Sequence, residues 1–352
     1  MSASDPRVVI IGGGFAGLEA ARAFGGAAMR VTILDRHNYH LFQPLLYQVA
    51  TAALSPGDVA SPIRWILRHQ QNVEVLLANV KGIDPIANQV DVEPGGPVPY
   101  DYLIVCAGAT HAYFGHPEWA DRAPGLKTLD DALEMRRRVL LAFEAAERAS
   151  DPQEQRRLLT FVIVGGGPTG VELSGALAEI ARQSLRHDFR HIRPESARII
   201  LVEGGPDILP AFAPPLRVAA EPTLQVPGRP NVFVAGDLCA LAQDGAPLPG
   251  VAQVAMQEGA HAAQNVLRAV RGEPLTPFRY KDYGTMATIG RGSAIADIHG
   301  VKVAGFFAWL IWIFLHIFWL IGFRNRLAVM GEWAWAYLTF QRRIRLITGE
   351  RL

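Results

Sequence analysis

The chain has 352 residues, of which 50% are hydrophobic and 19% are charged, and its formal net charge at pH 7 is +1. This length allows two modest domains or one large divided domain, and the near-neutral charge gives no reason to expect a nucleic-acid partner. The two cysteines, Cys106 and Cys239, form no C-x-x-C pair, which excludes an adjacent redox dithiol and a cysteine-rich metal site, and we expect no bound metal.

The first predicted element is a phosphate-binding turn between a buried strand and a helix. Its parts are, in chain order, a strand at 8–11, the glycines Gly12, Gly14 and Gly17 of a G-x-G-x-x-G run, a helix from Leu18, a strand at 30–34, and Asp35. The first glycine permits the tight turn, the second lets the backbone approach a pyrophosphate, and the third allows close packing of helix and strand. An acid after the second strand can accept a hydrogen bond from a ribose hydroxyl. This pattern predicts a dinucleotide site.

A second element of the same kind begins at residue 160. Its parts are the strand Thr160–Val164, the glycines Gly165, Gly167 and Gly170, a helix from Val171, the strand Arg198–Val202, and Glu203. Glu203 suits a ribose 2′-hydroxyl and repels a 2′-phosphate, which favours NADH over NADPH. Two such turns predict an α/β chain with two Rossmann-like domains, one for a flavin dinucleotide and one for a nicotinamide dinucleotide.

Glu172 closely follows the second glycine run, and its position allows two interpretations. In the first, the carboxylate lies in the first turn of the helix and complements the helix dipole. In the second, it lies near the junction of nicotinamide and flavin and influences hydride or proton movement. The sequence position alone does not choose between them.

A strand that ends in Gly-Asp is predicted in the last third of the chain. Residues 231–237 read Asn-Val-Phe-Val-Ala-Gly-Asp, and a further helix opens after Gly250. This resembles the two-dinucleotide-fold flavoproteins, in which such a Gly-Asp closes over the ribityl chain and phosphate of FAD. Gly236 and Asp237 would have that role here, and an ordinary turn is the alternative.

The most apolar segment of the chain is 304–322, whose one ionisable residue is His316. Its 19 residues are barely long enough to span a bilayer core. Tryptophans along a whole stripe fit a helix in the membrane interface better than a spanning helix. The aromatic and basic residues after this segment are typical of contact with an anionic lipid surface. The stripe is Trp309, Trp312, His316 and Trp319, and the following residues are Trp333, Trp335, Tyr337, Phe340, Arg342, Arg343 and Arg345. We expect peripheral attachment, with a spanning helix and a buried core or dimer helix as alternatives.

Together these features resemble the type II NADH dehydrogenases, single-subunit NADH:quinone oxidoreductases that do not pump protons. The resemblance covers nearly the whole chain and rests on residues 12–17, 38–48, 165–170 with Glu172, Gly236-Asp237, and the run Ala252-Gln253-x-Ala-x-Gln257. The last stretch is the most specific, because this family places its quinone site at such a run.

The resemblance implies FAD and NADH as cofactors and a membrane quinone as electron acceptor, with NADH reducing the flavin before the quinone is reduced. It implies that Gln253 and Gln257 line the quinone pocket, that Glu172 is the acid of the nicotinamide side, and that the loop around Gln43 wraps the FAD. It further implies monotopic attachment of residues 304–352 to the bilayer surface, as a homodimer. The polar segment before the first strand predicts no secretory signal, which favours the cytoplasmic face of the cell membrane.

The resemblance is interrupted near Leu216 and Arg217, where family members carry several dozen more residues. Between Gly165 and Leu216 the sequence holds one βαβ unit, which predicts a small parallel sheet with an open edge. The predicted layout is a discontinuous FAD domain (1–125 and 217–300), a shortened NADH domain (126–216) and a C-terminal membrane-anchoring region (301–352).

Three alternative functions stay open. The shortened domain allows a membrane-associated FAD-binding protein that has lost NADH oxidation. A soluble reductase of a small electron carrier shares the two glycine turns, but it explains neither the Trp-rich tail nor the Ala-Gln run. A sulfide:quinone reductase would need reactive cysteines near the flavin, and neither cysteine here has the sequence setting of a reactive pair.

Overall fold

The structure, a computed structural model, describes residues 5–205, 217–339 and 345–347. It divides into two compact units: the first comprises Met1–His40, Ser61–Ala109 and Ala211–Asp282, and the second comprises Leu41–Ala60, Thr110–Pro210 and Tyr283–Leu352. These units differ from the predicted domains in grouping residues 41–60, 110–125 and 283–352 with the second glycine turn, and the assignment of FAD and NADH domains stays a prediction. Leu216 at the predicted join, and Phe340, Arg342 and Arg343 of the predicted lipid-facing tail, lie outside the described residues.

The strands are short and are named here in chain order. They are β1 Arg7–Ile11, β2 Arg30–Asp35, β3 Tyr39–Leu41, β4 Ala60–Pro62, β5 Val73–Leu77, β6 Asn79–Asp84, β7 Gln89–Glu93, β8 Gly96–Pro99, β9 Tyr102–Val105, β10 Thr160–Val164, β11 Arg198–Val202, β12 Val218–Ala219, β13 Gln225–Val226, β14 Arg229–Val234, β15 Cys239–Ala240, β16 Ala242–Gln243, β17 Ala246–Pro247, β18 Thr285–Gly290, β19 Ser293–Ile298 and β20 Val301–Gly305.

The helices range from single turns to five turns. They are α1 Phe15–Ala23, α2 Leu46–Ala50, α3 Pro56–Val59, α4 Ile63–Ile66, α5 Leu129–Arg148, α6 Pro152–Leu158, α7 Pro168–Glu179, α8 Ala252–Val270, α9 Phe306–Trp319 and α10 Phe323–Thr339. Three 3₁₀ turns (Gln43–Leu45, Pro117–Asp121 and Pro194–Ser196) and one π-helical turn (Ile180–Ser184) complete the helical structure of the described residues.

The first unit is built on a six-stranded sheet in the order β13-β14-β9-β1-β2-β5. Neighbouring strands run parallel except at β13, which pairs antiparallel with β14. β1 reads Arg-Val-Val-Ile-Ile and buries its apolar residues on both faces, as central strands of parallel sheets do. Residues of this sheet share one core with Val90, Val92 and Tyr100 of the neighbouring segment that contains β7 and β8. The predicted strands at 8–11 and 30–34 are confirmed as β1 and β2.

The second unit contains a two-stranded parallel sheet, β10-β11, and a three-stranded antiparallel sheet, β18-β19-β20. α5 begins with a capping box, in which Thr128 Oγ1 accepts from the Asp131 N–H at 3.1 Å and Asp131 Oδ2 accepts from the Thr128 N–H at 2.8 Å. α7 packs directly on β18 because Gly175 has no side chain: a Cβ there would lie 2.9 Å from the Ile289 carbonyl oxygen. This close approach positions Glu172, one turn earlier on α7.

The sheet that follows the second glycine turn has a bare apolar face. Val162 and Val164 of β10 point to the same side and are exposed, as is Val202, the partner of Val164 on β11. On the other face, the ring of Phe143 from α5 lies 5.5 Å from that of Phe161. In the described part of the chain this sheet has two strands, as the gap predicts. These valines thus form an apolar face that the described part of the chain leaves exposed.

The C-terminal apolar segment is not one continuous helix. Residues 301–305 form β20, and α9 spans Phe306–Trp319. Among the described residues, no helix is both long enough and apolar enough to cross a membrane.

The predicted tryptophan stripe of α9 faces mainly the protein interior, and the expectation that it lies in the lipid interface is wrong. Trp309 and Trp312 are buried, and their rings lie 4.8 Å from Tyr337 and 5.6 Å from Trp333 of α10, respectively. Trp319 is half exposed. The exposed face of α9 consists instead of Phe307, Leu310, Phe314 and Phe318. Helical periodicity correctly predicted which residues share a face. Because both faces of α9 are apolar, it did not predict which of them packs against the protein.

Candidate functional site

The first glycine turn is so tightly packed that two of its glycines have no room for a side chain. Gly12 has a φ of +98°, and a Cβ there would lie 2.3 Å from the Cys106 carbonyl oxygen. A Cβ at Gly17 would lie 1.8 Å from the Gly12 carbonyl oxygen. Both obstacles are backbone atoms, so the helix, the turn and β9 can approach only with glycine at these positions.

The middle of the same turn is open, as a pyrophosphate site requires. A Cβ at Gly14 would meet no atom within 4 Å. Gly14 is the N-cap of α1, and no side-chain hydrogen bond caps this helix end. An open cradle beneath an uncapped helix N-terminus fits the phosphates of FAD.

Two further glycines allow the Gly-Asp segment and α8 to pack closely against the first glycine turn. A Cβ at Gly259 of α8 would lie 2.0 Å from the Ala16 carbonyl oxygen, and one at Gly236 would lie 3.2 Å from the Ala16 Cβ. These glycines let α8 and the end of β14 approach the start of α1. Asp237 lies beside the residues that lead into α8: a Cβ at Gly250, two residues before the helix, would be 3.4 Å from its Oδ1 atom. The residues predicted to hold FAD, apart from Gln43, are thus brought together in the first unit.

The acids after the two glycine turns, Asp35 and Glu203, have equivalent hydrogen bonds. Asp35 Oδ2 accepts from the Gly13 N–H at 2.6 Å, and its Oδ1 accepts from the His37 N–H at 2.7 Å. Glu203 accepts from the Gly166 N–H in the same manner, and from the N–H groups of the two residues that follow it. These N–H groups, Gly166 first, hold the pKa of Glu203 below its usual range. Each acid braces its own turn and has lone pairs left for a ribose hydroxyl.

The second glycine turn repeats the geometry of the first. Gly165 has a φ of +104°, and a Cβ at Gly170 would lie 1.9 Å from the Gly165 carbonyl oxygen. Gly167 is the N-cap of α7, and again no side chain caps the helix. The second turn therefore keeps an anion-binding helix N-terminus although its sheet is small.

Glu258 is a site residue that the sequence reading missed. It is buried on α8 and accepts from the Gly236 N–H at 2.7 Å. Burial raises its pKa to about 8, against the lowering effects of the Gly236 N–H and of Arg217. A signal was available, since Val254, Ala255, Glu258, Gly259 and Ala262 form the buried stripe of α8 and an acid within such a stripe needs a specific role.

The two glutamines predicted for a quinone pocket differ in their surroundings. Gln257 pairs with the backbone of Lys281 through both ends of its amide: Nε2 donates to the carbonyl oxygen at 2.9 Å, and Oε1 accepts from the N–H at 2.9 Å. Its amide therefore anchors the segment after α8. Gln253, in the first turn of α8, is half-buried.

Gln43 belongs to the second unit, whereas both cysteines lie beside residues predicted to hold FAD. The Cys106 carbonyl faces Gly12, and the Cys239 N–H donates to the Gly236 carbonyl oxygen at 2.8 Å. Gln43 opens a 3₁₀ turn of the second unit, and its Nε2 donates to the Lys127 carbonyl oxygen at 3.4 Å. Its predicted role at the FAD stays a prediction. Cys106 and Cys239 are buried and free, and burial raises the thiol pKa of both, which makes thiolate chemistry unfavourable.

Glu172 is buried in the second unit and is the fifth residue of α7, so its predicted place in the first turn is wrong. Burial raises its pKa to about 8; the Thr288 N–H, 3.4 Å from Oε1, and the Trp312 indole oppose this effect. The indole nitrogen has no partner with hydrogen-bond geometry among the described residues. A buried carboxyl that is mostly protonated at pH 7 does not suit a solvated helix-dipole role, and it can donate a proton.

A buried row of hydrogen bonds leads from α10 to Glu172, and none of its other members was predicted as a site residue. Trp333 Nε1 donates to Gln48 Oε1 at 2.8 Å, and Gln48 Nε2 donates to the Tyr47 hydroxyl at 3.1 Å. The Tyr47 hydroxyl lies 3.3 Å from Thr288 Oγ1. Tyr47 and Gln48 belong to a stretch that carried the family resemblance, but no local pattern links them to residues more than 200 positions away.

Comparison with known proteins places these features in a family. The family model described as pyridine nucleotide-disulphide oxidoreductase matches residues 6–228, and the model described as the NDH2 C-terminal domain matches residues 283–342. The first match alone covers more than half of the chain and contains both glycine turns.

Comparison with individual proteins supports the same family assignment. The chain is 39% identical to the type II NADH:quinone oxidoreductase Ndh of Mycobacterium tuberculosis, with 98% of this chain and 91% of the relative covered. NdhA of the same organism, also a type II NADH:quinone oxidoreductase, is 39% identical, with 98% and 90% covered. The alignment with Ndh runs over 424 positions although this chain has 352 residues, so the relative has residues without a counterpart here.

The fold is also similar to that of a solved type II NADH dehydrogenase structure. A structure of NDH2 from Plasmodium falciparum in complex with NADH superimposes with a TM-score of 0.86 at 16% identity, covering 98% of this chain and 100% of that chain. At this identity the likeness concerns the fold. From the family models and the close relatives, the chain belongs to the type II NADH:quinone oxidoreductase family.

Proposed function

We propose that this protein oxidises NADH through bound FAD and passes the electrons to a membrane quinone. The observation that carries the proposal is the pair of glycine turns, each with an open helix N-terminus and a bracing acid, in a member of this family. The first turn, with Gly236, Asp237 and the start of α8, holds FAD. The second turn holds NADH.

FAD, when bound, supplies a two-electron acceptor for hydride and a donor for the quinone. The protein binds and orients the reactants and manages protons. Glu203 accepts from the ribose 2′-hydroxyl of NADH and disfavours the 2′-phosphate of NADPH. Glu172, protonated at neutral pH, supplies a proton as the quinone becomes a quinol.

Gln253 is the residue of the Ala-Gln run that we assign to the quinone. It lies in the first turn of α8, and its amide can donate to a quinone carbonyl oxygen. Gln257, whose amide is engaged with Lys281, fixes the segment beyond α8.

The test is anaerobic addition of NADH to the FAD-loaded protein, followed by a short-chain quinone. We expect NADH to bleach the flavin absorbance and the quinone to restore it. Gln253→Ala should slow the return by about tenfold or more, the loss of one polar contact to substrate, and leave the bleaching unchanged.

The two steps report on different parts of the proposal. A flavin that dithionite bleaches and NADH does not would contradict NADH oxidation and favour a FAD-binding protein whose small second sheet no longer supports it. Unchanged reoxidation in Gln253→Ala would contradict the quinone assignment alone. Gln264→Ala, the substitution of an exposed glutamine three turns further along α8, is the matched control and should leave both steps unchanged.

We further propose that the protein attaches peripherally, as a homodimer, to the cytoplasmic face of the membrane through the exposed face of α9. That face presents three phenylalanines and a leucine, Phe307, Phe314, Phe318 and Leu310, with no charged residue among them. Such a face gains free energy by entering the acyl region of a bilayer.

Phe314→Glu should weaken binding to anionic phospholipid vesicles by about tenfold, the value of removing one buried phenylalanine from the lipid. Vesicle flotation measures the bound fraction. Phe114→Glu is the matched control, because Phe114 is also exposed in the second unit and lies outside α9. Equal losses in the two variants, or undiminished binding of Phe314→Glu, would contradict attachment through α9.

A further inference from the structure

We propose that Tyr47, Gln48 and Trp333 are positioning residues for Glu172, and that they form a one-way hydrogen-bond chain by which α10 sets the protonation of this carboxyl. The inference deepens the proposed function and rests on it only where proton delivery to quinone is concerned. All members of the chain lie in the second unit.

The direction of the chain begins at Trp333. An indole N–H can only donate, so it fixes the carbonyl end of the Gln48 amide toward Trp333. The NH₂ end of Gln48 then faces Tyr47 and donates to the phenol oxygen. One tryptophan thus determines the orientation of a buried amide that could otherwise turn over.

The direction continues through Tyr47. Because the phenol oxygen accepts from Gln48, its single hydrogen is available to Thr288 Oγ1, 3.3 Å away. The backbone N–H of Thr288 points to Glu172 Oε1. Either hydroxyl of the Tyr47–Thr288 pair can donate. With Tyr47 as the donor, every donor in the row points from α10 toward the carboxyl, and successive hydrogen bonds of this kind polarise one another in a low-dielectric interior.

Burial protects the chain from competing water. Tyr47, Gln48, Thr288, Trp333 and Glu172 are all buried. On the elements that pack most extensively against α7, the titratable groups are Tyr47 on α2, Arg182 in the π-helical turn and Arg198 on β11, and both arginines are exposed. Glu179 of α7 itself pairs with Arg291 at 2.9 Å. On α9, whose Trp312 lies near the carboxyl, His316 is half-buried; burial lowers its pKa to about 4, so it is neutral at pH 7.

Breaking the chain should make the carboxylate harder to form. The Thr288 N–H favours the ionised form of Glu172, and its distance of 3.4 Å is already long. Tyr47→Phe leaves the Thr288 hydroxyl without the bond that orients it and interrupts the aligned donors. The pH at which Glu172 ionises should then rise by about half a pH unit or more.

The experiment is an infrared pH titration of the FAD-loaded protein that follows the carbonyl band of the protonated carboxyl, with Glu172→Gln identifying the band. Tyr47→Phe, Thr288→Val and Trp333→Phe should each move the midpoint upward, and the alkaline limb of quinone reduction should move with it. Thr288→Ser keeps the hydroxyl and should restore the wild-type midpoint.

Matched controls separate the chain from general disturbance. Trp335→Phe changes an exposed tryptophan of the same helix and should leave the midpoint unchanged. If Tyr47→Phe does not fold, Thr288→Val and Trp333→Phe together carry the test. Unmoved midpoints in both the Thr288→Val and Trp333→Phe proteins would overturn the proposal. An infrared midpoint that moves without any change in the quinone profile would uphold the chain and contradict Glu172 as the proton source.

Discussion

Gly17→Ala is expected to abolish FAD binding and to unfold the first glycine turn. The new Cβ would lie 1.8 Å from the Gly12 carbonyl oxygen, and both groups belong to backbone fixed by β1 and α1. No side-chain rotation can relieve such a clash, so α1 must move off the sheet at a cost of about 3 kcal/mol or more. The flavin content of the purified protein and its urea-unfolding midpoint measure the two effects.

Gly14→Ala, three residues earlier in the same turn, is the matched control. A Cβ at Gly14 meets nothing within 4 Å, and its φ of −71° is ordinary for alanine. Its stability should therefore change by no more than about 1 kcal/mol, whereas FAD affinity should fall because the methyl group occupies the space left for a pyrophosphate. A Gly17→Ala protein that retains flavin at the wild-type level would contradict this assignment of the turn.

The glycine turns could be predicted because all the residues that form each turn lie in one short stretch of sequence. Strand, turn, helix and following acid are covalently consecutive, and the constraints on Gly17 and Gly170 come from the carbonyl oxygens of Gly12 and Gly165, a few residues away. The sequence also predicted the small sheet of the second turn, since a parallel strand needs a crossover and the segment before Leu216 has length for only one.

The surroundings of Glu172 could not be predicted in the same way. Its partners come from α2, β18 and α9, which are far apart in the chain and meet only through tertiary packing. The burial of Trp312 and Trp333 has the same origin. α9 is apolar nearly all round, so its composition does not reveal that tryptophans occupy the inner face and phenylalanines the outer one.

The shortened sheet has a consequence for the energetics of the second unit. Val162, Val164 and Val202 remain in solvent, so the strand face that they form contributes little burial free energy. The second glycine turn is held mainly by other contacts: the Glu203 hydrogen bonds, the packing of α5 on Phe161 and the close approach of α7 to β18 at Gly175. Retention of NADH binding then depends on these local contacts more than on the size of the sheet.

Glu258→Gln should make the protein less sensitive to alkaline pH. Burial raises the pKa of Glu258 to about 8, whereas in the unfolded chain it returns to the ordinary value of a glutamate. Between these pH values the folded state holds a proton that the unfolded state has lost, so the free energy of unfolding falls as pH rises. The loss reaches on the order of 4 kcal/mol by pH 8 and is absent below about pH 4.

Glutamine keeps an acceptor for the Gly236 N–H and removes the titration, so the quantity to measure is the difference in free energy of unfolding between Glu258→Gln and wild type across pH 5 to 8. This difference should grow with pH in favour of the variant, whatever constant offset the amide introduces. Glu221→Gln, an exposed substitution in the same unit, should show no such growth. A difference that stays constant with pH would mean that Glu258 is ionised in the folded protein, and therefore that Arg217, the cation near it, compensates its charge more strongly than burial penalises it.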